Sequence, residues 1–189
     1  MFNDKYGLTQ AVLEGRKTMT RRIVPQSVLD YYLYEAEDPT IIDAAKYDIG
    51  EVVAIAQAYK VLDYTFHNFA TNPSRSCGIR KEYAEKQKGW SNKMFVEAKF
   101  MPHHIYISDI KVEKLQDISD EDCMKEGIME GEFMNTWDRY YYDEWGDVAN
   151  HITFQTPRKA FASLIDKVCG KGMWDKNPWV FAYSFELID

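Results

Sequence analysis

Apolar positions recur first at Leu8, Ala11 and Val12, a helical spacing that stops at Gly15. The basic run Arg16-Lys17-Thr18-Met19-Thr20-Arg21-Arg22 reads as the loop leaving that helix, and the polar, Tyr-rich stretch between Pro25 and Pro39 as a connection. After Gly50 the pattern turns to alternation. Val53, Ile55, Gln57 and Tyr59 fall on one strand face, Val52, Ala54, Ala56 and Ala58 on the other. Two apolar faces predict a sheet covered on both sides, in which a buried Gln57 needs a polar partner. From Asp63 to Met101 the periodicity fades into a long excursion between strands. His103 to Leu115 predicts the next strand. Ile105 and Ile107 share one face but Ile110 and Val112 the other, so a bulge is expected near Ser108-Asp109.

Ser119, with Asp122 following, caps a short helix that Ile118 staples against Cys123 and Gly127 ends. A second irregular stretch, rich in aromatics from Trp137 to Trp145, is expected as a packing flap. Its acids Asp138, Asp143 and Glu144 suit it poorly to stacking on a phosphate-bearing strand. Thr156-Pro157 opens a clear helix, because Phe161, Leu164, Ile165 and Val168 share one side before Gly170 closes it. Trp179, Phe181, Tyr183, Phe185 and Leu187 form the clearest strand face. Strands separated by helices predict a mixed α+β domain spanning 1–189, with irregular insertions at about 60–102 and 129–156.

Composition narrows the classes. At 46% hydrophobic and 28% charged the chain is not a disordered one. Its longest apolar runs, Val52 to Ala56 and Trp179 to Tyr183, fall well short of the roughly 18 residues that span a bilayer. The N-terminus carries no secretion-signal pattern. Cys77, Cys123 and Cys169 are widely spaced with no Cys-x-x-Cys pair, which argues against disulfides or zinc and for a reducing, cytoplasmic setting without membrane partners. His67, His103, His104 and His151 have no metal-site spacing, and no cofactor is implied.

A net charge of −7 disfavours indiscriminate nucleic-acid binding, so any such contact must come from a local patch. Charge is indeed segregated. Arg75 to Lys99 holds seven Lys/Arg against three Glu, while Glu113 to Glu132 holds eight acids against two lysines. The run Arg16–Arg22 is the densest cationic cluster. The residues alone leave three readings of it: an anion site of guanidinium forks and hydroxyls, a solvated loop pairing with the acidic half, or an activated nucleophile. In the third, neighbouring Arg16, Arg21 and Arg22 favour the neutral form of Lys17, which then takes a proton from Thr20.

Gly15-Arg16-Lys17-Thr18-Met19-Thr20-Arg21-Arg22 matches the Gly-x-Lys-x-x-Thr-x-Arg signature of the ASCH domain, a member of the PUA-like β-barrel superfamily. Tyr47-Asp48-Ile49-Gly50-Glu51-Val52-Val53 resembles the lead-in to a barrel strand of that family. Glu113 to Ser119, Glu126-Gly127 and Asn177-Pro178-Trp179-Val180 look like its phage and prophage branch. The resemblance spans Gln10 to Leu187 and implies a PUA-like barrel with flanking helices. Carried over from the family's amidohydrolase branch, which deacetylates acetylcytidine, the catalytic set falls on Lys17, Thr20 and Glu126, with Arg22 as the signature arginine.

The expected mechanism is metal-free: Lys17 deprotonates Thr20, which attacks an acylated nucleoside, and Glu126 protonates the leaving amine. Glu126 at a helix C-terminus is expected to resist ionisation. Gly15, Arg21, Arg22, Gln57 and Tyr59 are the expected substrate contacts. Two alternatives stand beside this one: a non-catalytic module binding RNA or nucleotides, and a phage or prophage protein acting through protein contacts.

Overall fold

The computed structural model describes residues 2–34, 41–62, 79–131, 139–144 and 152–188. In chain order its strands are β1 (Met19–Ile23), β2 (Val52–Ala54), β3 (His104–Lys114), β4 (Met129–Glu130), β5 (Tyr140–Tyr141) and β6 (Trp179–Leu187). The helices are α1 (Leu8–Leu13), α2 (Gln26–Tyr34), α3 (Lys81–Ala84), α4 (Asp120–Lys125), α5 (Pro157–Cys169) and α6 (Met173–Lys176), with short 3-10 turns between them. Four strands form one antiparallel sheet in the order β1-β6-β3-β2, and β4 pairs with β5. The sheet is curled into a half-barrel, so the chain is a mixed helix-and-strand fold.

The strongest alternation in the sequence sits at the sheet's centre. Phe181, Tyr183 and Phe185 on one face of β6 are buried, and so are Val180 and Ala182 on the other. Both faces are therefore covered. On one side α5 lays Phe161 and Leu164 into the core, each at most 2% exposed. Burying side chains of this size stabilises the fold by about 1.5–3 kcal/mol each. The expected bulge is present: the pairing of β3 with β6 shifts register between Ile107 and Asp109, which lets both apolar pairs of β3 face inward.

Caps set the helices as their residues predict. Ser119 Oγ accepts the Asp122 N–H at 3.0 Å, and Thr156 Oγ1 accepts the Lys159 N–H at 3.2 Å. Gly127 ends α4 with φ +101°, where an L side chain is strained.

Three local expectations are corrected. The basic run is not all loop, because from Met19 onward it pairs with β6 as an edge strand. The Tyr-rich connection contains α2. The alternation after Gly50 is strand only to Ala54. Beyond it the pairing with β3 ends at His104, and the chain turns into a 3-10 turn over Tyr59–Val61. Tyr59 consequently buries itself in a second, smaller core with Leu62, Ile79, Ala84 and Met101. Gly89 is required beside it, since a Cβ there would lie 2.6 Å from the Tyr59 ring. Cys77, His67, His151, Pro39, Trp137, Asp138 and Trp145 lie outside the described residues. Of the expected flap, Tyr142 is buried against Phe154 and Tyr6.

Replacing Ser119 by alanine removes the cap of the helix that leads to Glu126. The expected cost is about 1 kcal/mol, a fall of about 2–4 °C in Tm for a chain of this size, read by thermal denaturation.

Candidate active site

Gly15 ends α1 in the left-handed conformation at φ +71°, and the Arg16 and Lys17 N–H groups both return to the Ala11 carbonyl. That turn aims Lys17 inward while leaving Gly15 exposed, outside the lining of the cavity that Lys17 borders. The Thr18 N–H bonds the Lys125 carbonyl, tying the approach to β1 to the end of α4. Glu126, which closes α4, and Lys17 are thereby brought face to face.

The Lys17 ammonium is 2% exposed and meets Glu126 Oε2 at 2.5 Å, with the Met19 carbonyl at 2.7 Å and the Glu126 carbonyl at 2.9 Å. Three acceptors use all three N–H bonds of a protonated amine. Arg21 is the third member. Its guanidinium, 1% exposed, donates to Glu126 Oε1 at 3.1 Å and to Glu113 Oε1 at 2.6 and 3.0 Å, and lies 3.5 Å from Asp122 Oδ2. It also packs over the Phe161 ring of α5.

Burial is the largest influence on Lys17 and lowers its affinity for a proton. The Glu126 charge and hydrogen bond oppose that, and Arg22 and Arg21 add to it. The direction expected from the sequence therefore holds, but desolvation causes it more than like charge does. Arg16 plays no part: it is exposed and paired with Glu14 at 2.5 Å. For Arg21, burial works against the charge, yet Glu126 and Glu113 hold its guanidinium above its ordinary value. Neighbouring Cys123 is fully buried, and burial pushes its thiol up to about 12, which leaves it inert as a nucleophile.

A cavity of about 320 Å³ opens beside this cluster. Lys17, Thr20, Arg21, Arg22 and Glu126 border it, facing an apolar wall of Phe2, Phe161, Leu164, Ile165 and Val168. Because β1 is an edge strand, the cavity reaches residues from both of its faces. Thr20 and Arg22 lie on the face they share with their cross-strand partners Tyr183 and Phe181, whereas Arg21 lies on the other, towards α4 and α5. A second cavity of about 210 Å³, walled by Tyr47, Val53, Ile55 and Tyr183, meets the first at Phe2, Thr20 and Arg22. Tyr183 is fixed there, its hydroxyl accepting the Lys46 N–H at 3.0 Å and its ring set edge-on to Tyr47.

The expected set is thus brought together in part. Lys17, Thr20, Glu126 and Arg22 converge on one cavity. Arg21 borders it, but its donors are taken by three carboxylates, so it positions Glu126 instead of offering a free fork. Tyr59 is removed from the site by its place in the smaller core, where its hydroxyl accepts the Glu97 N–H. Gln57 borders a separate cavity with Lys60, Ser91 and Asn92, and its buried Oε1 has no partner among the described residues. Sequence reasoning missed Glu113 and Asp122 as partners of Arg21, and missed Phe2. The acidic excess from Glu113 onward was the available signal for the first two. Among the described residues no cluster of His, Cys, Asp and Glu suits a metal ion, and no helix is long and apolar enough to cross a membrane.

Replacing Lys17 by methionine leaves Glu126 buried with Arg21 alone. It should cost about 3 kcal/mol in urea denaturation, with the Lys17→Met/Glu126→Gln double variant recovering more than half. Burial places the folded-state pKa of Lys17 below its unfolded value of about 10.4. Between those two values the unfolded chain holds a proton that the folded chain has lost. Lys17 therefore makes stability rise with pH in that window, and Lys17→Met should remove this rise in denaturation curves taken from pH 8 to 10. In comparison with known proteins, the chain matches no family model, no curated protein and no solved structure.

Proposed function

We propose that this protein is a metal-independent amidohydrolase that removes an acyl group from the amine of a small nucleoside-like substrate, on an ASCH-type, PUA-like scaffold. The observation that carries the reading is the buried Lys17–Glu126 pair, 2.5 Å apart, sharing one cavity with the Thr20 hydroxyl. A proton passed from the Lys17 ammonium to the Glu126 carboxylate yields a neutral amine and a neutral carboxyl. One transfer thus creates both the base and the acid that amide cleavage needs, and a low-dielectric site tolerates the neutral pair.

Lys17 is fully engaged in the free protein, so substrate binding must exchange one of its three hydrogen bonds for Thr20. As Lys17 takes the Thr20 proton, Oγ1 bonds the amide carbon and the carbonyl electrons move to oxygen. The Arg22 cation, bordering both cavities, is placed to stabilise that oxyanion. Collapse breaks the C–N bond while Glu126 gives its proton to the leaving amine, which restores the ion pair. Water then attacks the acyl-threonine. Glu126 accepts the water proton, Lys17 protonates the departing Thr20 oxygen, and the proton on Glu126 returns to Lys17.

Charge favours a small neutral substrate over RNA. Of the four cations in Arg16–Arg22, Arg16 is paired with Glu14, while Lys17 and Arg21 are buried among carboxylates. The cluster therefore presents far less positive potential than its sequence suggests.

Incubating acetylcytidine with the protein should release cytidine, detected by chromatography. Thr20→Ala should lower kcat by at least about a hundredfold with unchanged Tm, as expected for loss of a nucleophile. Absence of cytidine with folded protein, across several acyl groups, overturns the proposal.

A further inference from the structure

The first insertion reaches the Lys17 cavity through a single lysine. Asn92 caps the 3-10 turn Lys93–Phe95, its Oδ1 accepting the Met94 N–H at 3.0 Å, and Gly89 lets the turn before it close on Tyr59 of the smaller core. That placement sends Lys93 back to the start of the chain. Its ammonium donates to the Phe2 carbonyl, to Asp4 Oδ1 at 2.6 Å and to Thr9 Oγ1 at 3.1 Å, which occupies all three of its N–H bonds. Thr9 Oγ1 in turn donates to Asp4 Oδ1 at 2.5 Å, so one lysine gathers residues 2, 4 and 9.

This clamp fixes Phe2, and Phe2 bears on the charged pair. Its ring packs against Phe185 of β6 with centroids 5.6 Å apart, and its centroid lies 6.0 Å from Lys17 Nζ. Both Phe2 and Lys17 are buried. Asp4 and Lys93 border the 320 Å³ cavity beside Lys17 and also the polar cavity of about 620 Å³ that Gln57, Lys60, Ser91 and Asn92 line, so the clamp stands between the two. The charged groups facing Lys17 are Glu126 from the end of α4, and Arg21 and Arg22 from β1; Asp4, Lys93 and Cys169 border its cavity as well. Burial is the main cause of the low proton affinity of Lys17, and Phe2 supplies part of that burial.

We infer that Lys93 is a positioning residue for the Lys17 site: from the first insertion it holds the Phe2 ring beside the Lys17–Glu126 pair and so keeps that pair dry. The inference goes beyond the deacylase reading and holds whatever substrate the site takes.

The test is urea denaturation of Lys93→Met and Phe2→Ala from pH 8 to 10, the window in which Lys17 makes the wild-type protein gain stability. Hydrating Lys17 raises its folded-state pKa towards the unfolded value and narrows that window. Each variant should lose about half or more of the wild-type rise. Phe2→Ala removes no titratable group, so a loss shared by the two belongs to the wall and not to the charge of Lys93. Phe2→Leu keeps an apolar wall and should keep the rise, and adding Lys17→Met to Phe2→Ala should remove what is left of it. If Lys93→Met lacks the near-ultraviolet signal of folded protein, Asp4→Ala, which breaks the clamp at its exposed end, replaces it with the same expected loss.

A destabilisation that is uniform across this pH range, as loss of packing alone would give, overturns the inference. So does an equal loss of the rise in Phe2→Leu and Phe2→Ala, or a wild-type protein with no rise to lose, since a dry Lys17 requires one. No substrate enters these measurements, so their outcome is independent of the cytidine-release assay.

Discussion

Two buried cations, the buried Glu126 and two half-buried carboxylates gathered at one strand edge are the constraint around which the rest is arranged. Lys17, Arg21 and Glu126 are each almost out of water, and each would be ruinous alone. Their mutual pairing requires α4 to end where α1 turns and β1 begins. The short helix, the glycine at its end and the hydrogen bond from Thr18 to Lys125 all serve that meeting. Glu113 on β3 and Asp122 on α4 complete the set, so the sheet, the helix and the lead-in to β1 are fastened through one charged knot.

Such a knot contributes less to stability than apolar packing of the same volume would. It sits in a core that is otherwise aliphatic and aromatic, and the proposed deacylation is the use we put forward for it. In that proposal the buried ion pair becomes a neutral pair by moving one proton and so supplies both acid and base. Arg21 holds the far oxygen of Glu126, so each oxygen of that carboxylate has its own cationic partner. The apolar flank supplied by α5 lowers the local dielectric and strengthens these pairings.

Where a residue's environment is set by its immediate neighbours, the sequence was legible. The caps at Ser119 and Thr156, the helix face from Phe161 to Val168, the β6 alternation and the β3 bulge all follow from spacing within a few residues. The resemblance singled out Lys17, Thr20 and Glu126, and the structure shows that the three line one cavity. What failed were inferences about where alternation stops. Gln57 and Tyr59 continue the period-two pattern of Val53 and Ile55, but pairing with β3 ends first, and no local signal in the pattern marks that end. Likewise, four cations in seven residues left three readings open, because the partners of Lys17 and Arg21 lie about a hundred residues away along the chain. Only the acidic bias near Glu113 hinted that those charges would be neutralised internally.

The position of β1 at the sheet's margin also bears on association with other chains. An unpaired strand edge is an invitation for another chain to add itself, and edges of this kind are where sheets associate wrongly. Here the start of that edge is occupied: the Thr18 N–H is bonded to the end of α4, and the Met19 carbonyl is taken by the Lys17 ammonium. A foreign strand would have to displace a buried ion pair to dock there. The same lysine that anchors the buried charge cluster thus guards the sheet against intermolecular growth.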